Sequence, residues 1–192
     1  MKACEAGAFG DTLVELVRGE VWPVSIGDCH GMVAANVARA LPDDAWRVTL
    51  ASLPSAGSVP GPDVWVGRRR ASPVARLGAT GRLTRWNPSD VALVVEVADT
   101  SFSADTEVKP HVYGAAGYGC HWVVHRGGVD VFEDPFEAGY RRRRHVGPDG
   151  TVTVPYTGSS LAAGVLLDAD VQGGAAGPFC GLLVGGHGDD GG

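Results

Sequence analysis

The sequence predicts a mixed α/β (α+β) domain, a sheet with helices on its faces, and three observations carry that prediction. Val33, Val37 and Leu41 fall at i, i+4 and i+8, the period of an amphipathic helix, between segments that read as strands. The run Val91-Ala92-Leu93-Val94-Val95-Glu96-Val97, apolar except for one glutamate, is too continuous for a half-exposed strand and belongs at the centre of a sheet, covered on both faces. After Gly117 the chain alternates strand patterns with glycine-rich turns.

Taken in order, residues 8–26 read as two short strands, with Leu13, Val14, Leu16 and Val17 before Gly19 and Val21, Trp22 and Val24 after it, in a hairpin. Gly31 to Leu41 is the amphipathic helix, closed by Pro42 and two aspartates. Residues 46–50, WRVTL, form a strand, and the Pro, Gly and Ser-rich stretch after it is a surface loop leading into the short strand Asp63-Val64-Trp65-Val66. Residues 67–88 show little periodicity and are expected to be an exposed connection. A second helix is expected within 103–116. Then His121-Trp122-Val123-Val124-His125 is a strand, Gly127-Gly128 a two-residue turn, and Val129 to Phe132 the returning strand. Tyr140–Val146 and Thr151–Val154 are expected to pair around Gly147-Pro148-Asp149-Gly150. One domain over residues 8–171 follows. Residues 172–192 are so rich in glycine that ordering them would cost more backbone entropy than their few apolar groups return, so a mobile tail is expected there.

Composition narrows function. At 192 residues the chain buries a core without staples, and its four cysteines are scattered without a CxxC pair, so reduced thiols and a cytoplasmic setting are expected. No signal-peptide pattern and no membrane-length apolar run is present. A net charge of −6 argues against coating nucleic acid by bulk electrostatics, while leaving room for a local basic patch. Of the 16 basic residues only Lys2 and Lys109 are lysines, so an internal lysine points to a need for a compact ammonium.

The chemistry centres on Glu96. A lone carboxylate in the most buried strand costs several kcal/mol unless a cation or strong donor stands beside it. The alternative is a carboxylate that simply pairs with an arginine, or lies half exposed at the strand's end. Asp63 begins its own strand behind the stiff Pro62. If the two strands are neighbours, their carboxylates converge on one hard divalent ion, and Mg²⁺ (or Mn²⁺) suits one or two carboxylates, waters and substrate phosphate oxygens. Lys109, 13 residues after Glu96, can return over the strand ends and offset charge developing on a phosphate.

VELVRGEVWPV at 14–24, His30 opening a helix, PDVWV at 62–66 and DVALVVEVADTS at 90–101 together resemble the Uma-two family of restriction-endonuclease-like proteins. The similarity continues through Asp105, Lys109, Tyr113 and Gly117 to the strand with Trp122, so it covers residues 10–170. The resemblance implies a restriction-endonuclease-like mixed sheet flanked by helices, of the PD-(D/E)xK kind, with the motif lysine moved from the strand onto the following helix. Ala98 stands at the vacated position. It further implies Asp63 and Glu96 as metal ligands, Lys109 as the catalytic lysine, Glu15 as an auxiliary carboxylate, and DNA as the substrate of a Mg²⁺-dependent endonuclease. Pro110, directly after Lys109, disfavours helical geometry at the lysine and makes it a helix cap, and Gly114 weakens the helix further by propensity. His121 and His125 replace the aromatic and acidic residues usual in the family.

Other conspicuous residues have plainer readings. Arg141 to Arg144 alternate sides on a strand, which favours a solvated hairpin over a nucleic-acid patch, whereas Arg68 to Arg70 are better placed for DNA. Trp22, Trp65, Trp86 and Trp122 read as packing. His30 either lies near the metal face, as the resemblance hints, or merely starts its helix, and the second is favoured. Two further functions stay open: a nuclease-fold binding module whose chemistry Pro110 has weakened, and a zinc protein built on Cys29-His30 and Cys120-His121. Assembly as a homodimer is compatible with the sequence, and no membrane partner is expected.

Overall fold

The apolar run becomes β7 (Val91–Ala98), fourth of six strands in the main sheet of the computed structural model, which describes residues 13–167 apart from 25, 26, 43, 45, 56, 79, 80, 82 and 100. Expectations about the tail, Lys2, Cys4 and Cys180 lie outside the described residues. The sheet order is β10 (Gly139–Val146), β9 (Gly128–Phe136), β8 (Cys120–His125), β7, β4 (Val64–Arg68), β3 (Trp46–Thr49). Neighbours are antiparallel except β7 and β8, whose parallel pairing requires a crossover, and the second helical segment supplies it.

Alternation along β7 sorts its side chains. Leu93, Val95 and Val97 join Val64, Val66, Trp122, Val124, Val129 and Val131 on one face, where they meet Val33 and Val37 of α1 (Asp28–Ala40) and Leu166 of α3 (Ala163–Leu167). Val94 and Glu96 take the other face, toward Trp65, Tyr113 and Tyr118. Each fully buried Val or Leu contributes about 1.5–3 kcal/mol, so the valines fix this strand at the centre and carry Glu96 in with them. α1 starts earlier than expected, with Asp28 in its first turn, where an acid complements the helix dipole, and it stops before Pro42.

The expected hairpin near the start is present, β1 (Val14–Val17) against β2 (Glu20–Pro23). The connection at 67–88 is corrected: β5 (Ala75–Leu77) and β6 (Leu83–Arg85) form a small hairpin, whose exposed strands leave no alternation for sequence to show, with Gly78 and Gly81 at positive φ between them. The late pairing is also corrected. β10 pairs with β9, while β11 (Thr151–Thr153) pairs with β12 (Ser160–Ala162). The β8–β9 turn is Arg126-Gly127 rather than Gly127-Gly128, because Gly128 already pairs with His125.

The crossover helix departs most from expectation. A π-helical turn (Ala104–Val108) runs directly into α2 (Lys109–Ala115), and the Lys109 N–H donates to Ala104 O, five residues back. A proline within an α-helix removes a donor and drives its ring into the carbonyl four residues earlier; the wider π turn just before Pro110 absorbs that clash. Lys109 therefore keeps helical dihedrals, φ −61° and ψ −34°, and is not a detached cap. Gly114 is a packing device: a Cβ there would lie 2.0 Å from Gly139 O, so glycine lets α2 press against β10. That contact outweighs its cost of about 1 kcal/mol in propensity.

Candidate active site

β4 and β7 bring the two strand carboxylates together. Val64 lies opposite Val95 in an antiparallel pair, so the next position outward sets Asp63 across from Glu96, and opposed residues share a face. Asp63 Oδ2 accepts from the Val97 N–H at 2.7 Å, which ties the residue before β4 onto the end of β7. On the other oxygen, His30 Nε2 of α1 sits 2.6 Å from Oδ1. The expectation that His30 merely opens its helix is corrected: α1 begins at Asp28, two residues earlier, and its first turn aims the imidazole at Asp63. The hydrogen bond from Asp63 raises the His30 pKa against the opposing effect of burial.

From the opposite side α2 delivers Lys109. Its Nζ lies 3.1 Å from Glu96 Oε2, 3.1 Å from Asp105 Oδ1 and 3.4 Å from Glu15 Oε2. Glu15 comes from β1 and is held by the Gly61 N–H, which donates to Oε1 at 3.0 Å. The loop before Asp63 thus fastens the auxiliary carboxylate as well. Tyr113, one turn beyond Lys109, donates its hydroxyl to Glu96 Oε1 at 2.5 Å. Ser101 hydrogen-bonds Asp105 Oδ2 through its hydroxyl.

Negative charge dominates this cluster. Glu96 is 2% exposed, and burial drives its pKa well above the ordinary carboxylate range; Lys109 opposes that, while Asp63, Asp105 and Glu15 add to it. Burial likewise raises Asp105 despite the lysine. Burial alone would lower the Lys109 pKa, but the attraction of Glu96, Asp105 and Glu15 outweighs it and raises the pKa, so the ammonium is firmly charged. The donor set suits a hard cation. The four acids offer oxygens from β1, β7, the π turn and the residue before β4, and Asp105 Oδ1 is a buried oxygen whose charged neighbour is the lysine at 3.1 Å.

Comparison with known proteins adds the family. The profile described as "Putative restriction endonuclease", Uma2, matches residues 8–164. The chain belongs to the Uma2 family. A solved structure, described as a putative nuclease belonging to DUF820 from Anabaena variabilis ATCC 29413, matches with a TM-score of 0.59 and 15% identity, over 83% of this chain and 92% of that one, which establishes the shared fold. No curated protein matches.

Within this Uma2 chain the site gathers every residue the sequence singled out for chemistry: Glu15, Asp63, Glu96 and Lys109. It also takes in Asp105 and Tyr113, to which sequence reasoning gave no role, and His30, whose place near the metal face was the less favoured of its two readings. The D-x-x-x-K-x-x-x-Y spacing was the available signal for the first two, since residues four apart share a helix face. The Cys-His zinc set does not assemble: Cys120 enters the α1-side core while its neighbour His121 packs on Tyr113 and Phe132, on opposite faces of β8. Arg68 to Arg70 lie away from this cluster. They begin at the far end of β4, five residues from Asp63, or roughly 17 Å along the strand.

A second cluster sits on the Glu96 face of the sheet. Ligating atoms of His125, Asp130 and His145 lie within 4.8 Å of one another, a spacing an ion could bridge. The hydrogen bonds favour an ion-pair hub instead. The Gly127 N–H donates to His125 Nδ1, which leaves that ring's proton on Nε2, the nitrogen facing Asp130; Arg143 Nη2 already occupies Asp130 Oδ2 at 2.9 Å. Burial raises the Asp130 pKa, but the bonds from Arg143 and His145 outweigh it and hold it below the usual range.

Proposed function

We propose that this chain is a metal-dependent endodeoxyribonuclease of the PD-(D/E)xK type, acting in the cytoplasm through a domain spanning residues 8–171. Membership of a family described as restriction endonuclease supports a nuclease in general. The observation that carries the finer reading is the meeting of Lys109 with Glu96, Asp105 and Glu15 beside Asp63, because one ammonium among four clustered carboxylates leaves negative charge that a divalent cation would offset. Asp63 and Glu96 would hold Mg²⁺ or Mn²⁺, with Asp105 or Glu15 in support. When bound, the ion would supply charge neutralisation at the scissile phosphate and a more acidic water.

The chain's own residues do the rest. His30 orients Asp63 through Oδ1 while the Val97 N–H fixes Oδ2, so the carboxylate is pre-positioned. Tyr113 fixes Glu96 in the same way. Lys109, charged, places its ammonium where negative charge builds on the phosphoryl oxygens and orients the attacking water. What supports an active enzyme over a weakened binding module is the helical geometry of Lys109, since Pro110 was the ground for the weaker reading.

The test is nicking of supercoiled DNA by the purified chain with Mg²⁺, Mn²⁺ or chelator. Activity should need the divalent ion and vanish in Asp63→Asn, Glu96→Gln and Lys109→Met. Full activity in Glu96→Gln ends this mechanism.

A further inference from the structure

Glu96, Val123, Asp130 and His145 form one row across β7, β8, β9 and β10, each the register partner of the next. Their side chains therefore share the face of the sheet that carries the candidate active site. At about 4.8 Å per strand, His145 lies roughly 14 Å from Glu96 along that row. Asp130 is nearly fully buried, yet both of its oxygens are turned to β10: Oδ1 to His145 Nδ1 at 3.0 Å and Oδ2 to Arg143 Nη2 at 2.9 Å. The two residues it holds, Arg143 and His145, are each 51% exposed. Arg143 also rests over the Phe132 ring, 5.1 Å from its centroid. A buried acid beneath and an aromatic ring alongside fix one edge of the guanidinium and leave its other donors outward. His145, with Nδ1 committed to Asp130, turns Nε2 away from it.

We propose that Arg143 and His145, oriented by Asp130, form a phosphate-backbone contact for the DNA strand flanking the scissile position. This rests on the nuclease reading above and extends it to the course of the substrate. Arg143 and His145 are two apart on one strand, their backbones about 6.8 Å apart, and both heads meet at the single Asp130 carboxylate, so their remaining donors present one paired site to a phosphate. A strand leaving the carboxylate cluster and crossing the sheet reaches them within a few nucleotides. Arg142 and Arg144 project from the other face of the same edge strand and are exposed, with Arg142 opposite Glu133, so they serve as an internal comparison of equal charge.

The experiment uses the full chain with its site residues unchanged, in Ca²⁺ in place of Mg²⁺ so that DNA is bound and not cut, and measures anisotropy of a short labelled DNA duplex over a range of salt. Arg143→Gln should lower affinity about tenfold at low salt and flatten the plot of log K against log salt by about one unit. Adding His145→Gln should weaken binding further. Arg142→Gln with Arg144→Gln should leave the slope as it was. To exclude an effect of a newly unpaired buried acid, Arg143→Gln is repeated with Asp130→Asn, and the flattened slope should persist. An unchanged slope in Arg143→Gln, or an equal fall in the Arg142 and Arg144 variant, overturns the proposal and leaves the nuclease reading standing. Failure of the parent chain to bind the duplex overturns both.

Discussion

Lys109 Nζ stands 3.1 Å from Glu96 Oε2, with both side chains withdrawn from solvent. The pair is unequal, because the same ammonium also serves Asp105 and Glu15. Removing the acid and removing the base should therefore have opposite consequences for the folded state.

Glu96→Gln deletes a carboxylate whose burial is costly and leaves Lys109 two partners, so without divalent ions its melting temperature should equal or exceed that of the parent. Lys109→Met leaves buried acids uncompensated and should cost up to about 3–5 kcal/mol near pH 8, shrinking toward pH 5 as the acids take up protons. Both should abolish nicking. Thermal melts of the two variants in chelator decide it; a marked drop in Glu96→Gln contradicts the account of the site.

Stability should also depend on pH in a definite direction. Glu96 and Asp105 have raised pKa values, so the folded state keeps protons that the unfolded chain releases. By linkage, their contribution to stability falls as pH rises above their ordinary values of 4.5 and 3.8. A divalent ion competes with those protons, so the rise in melting temperature on adding Mg²⁺ should grow between pH 5 and pH 8 and disappear in Glu96→Gln. A Mg²⁺ effect independent of pH would count against carboxylate ligation at Glu96.

His30 acts on Asp63 at 2.6 Å. His30→Ala should reduce cleavage or apparent Mg²⁺ affinity by about 10–100-fold while the fold is kept. Because the His30 pKa is raised, the stability it contributes is complete below the ordinary value of 6.5 and is lost as pH rises through its folded value. The melting difference between parent and variant should narrow accordingly at alkaline pH.

Gly114 meets Gly139 too closely for any side chain. Gly114→Ala, a favourable change by helix propensity, should instead destabilise by about 1–3 kcal/mol and lower activity by lifting Lys109 away from Glu96. Chemical denaturation and nicking assays on the same preparation measure both effects.

Much of this was legible in the chain. The valines of β7 dictated a central strand, and Glu96 within it announced a buried charge in need of a partner. Pro110 misled, because a proline rule written for α-helices does not anticipate a π turn that makes room for the ring. Gly114 misled for a related reason: propensity describes the helix alone, and the strand pressed against it decided the residue. The pairing of β10 with β9 was hidden because a run of four arginines carries no alternation of polarity from which to read register.

The sequence by itself determined that a carboxylate would stand in the most apolar strand, that Asp63 would lead a strand of its own, and that a solitary internal lysine would be available, since these follow from local pattern and the cost of desolvating charge. Only the tertiary structure decided that Asp63 lies across from Glu96, that Glu15 and Asp105 share the same ammonium, and that His30 and Asp130 each hold their partners. Those relations depend on register and on the packing angle of α2 against the sheet, which arise from contacts between residues distant in the chain and leave no periodic trace along it.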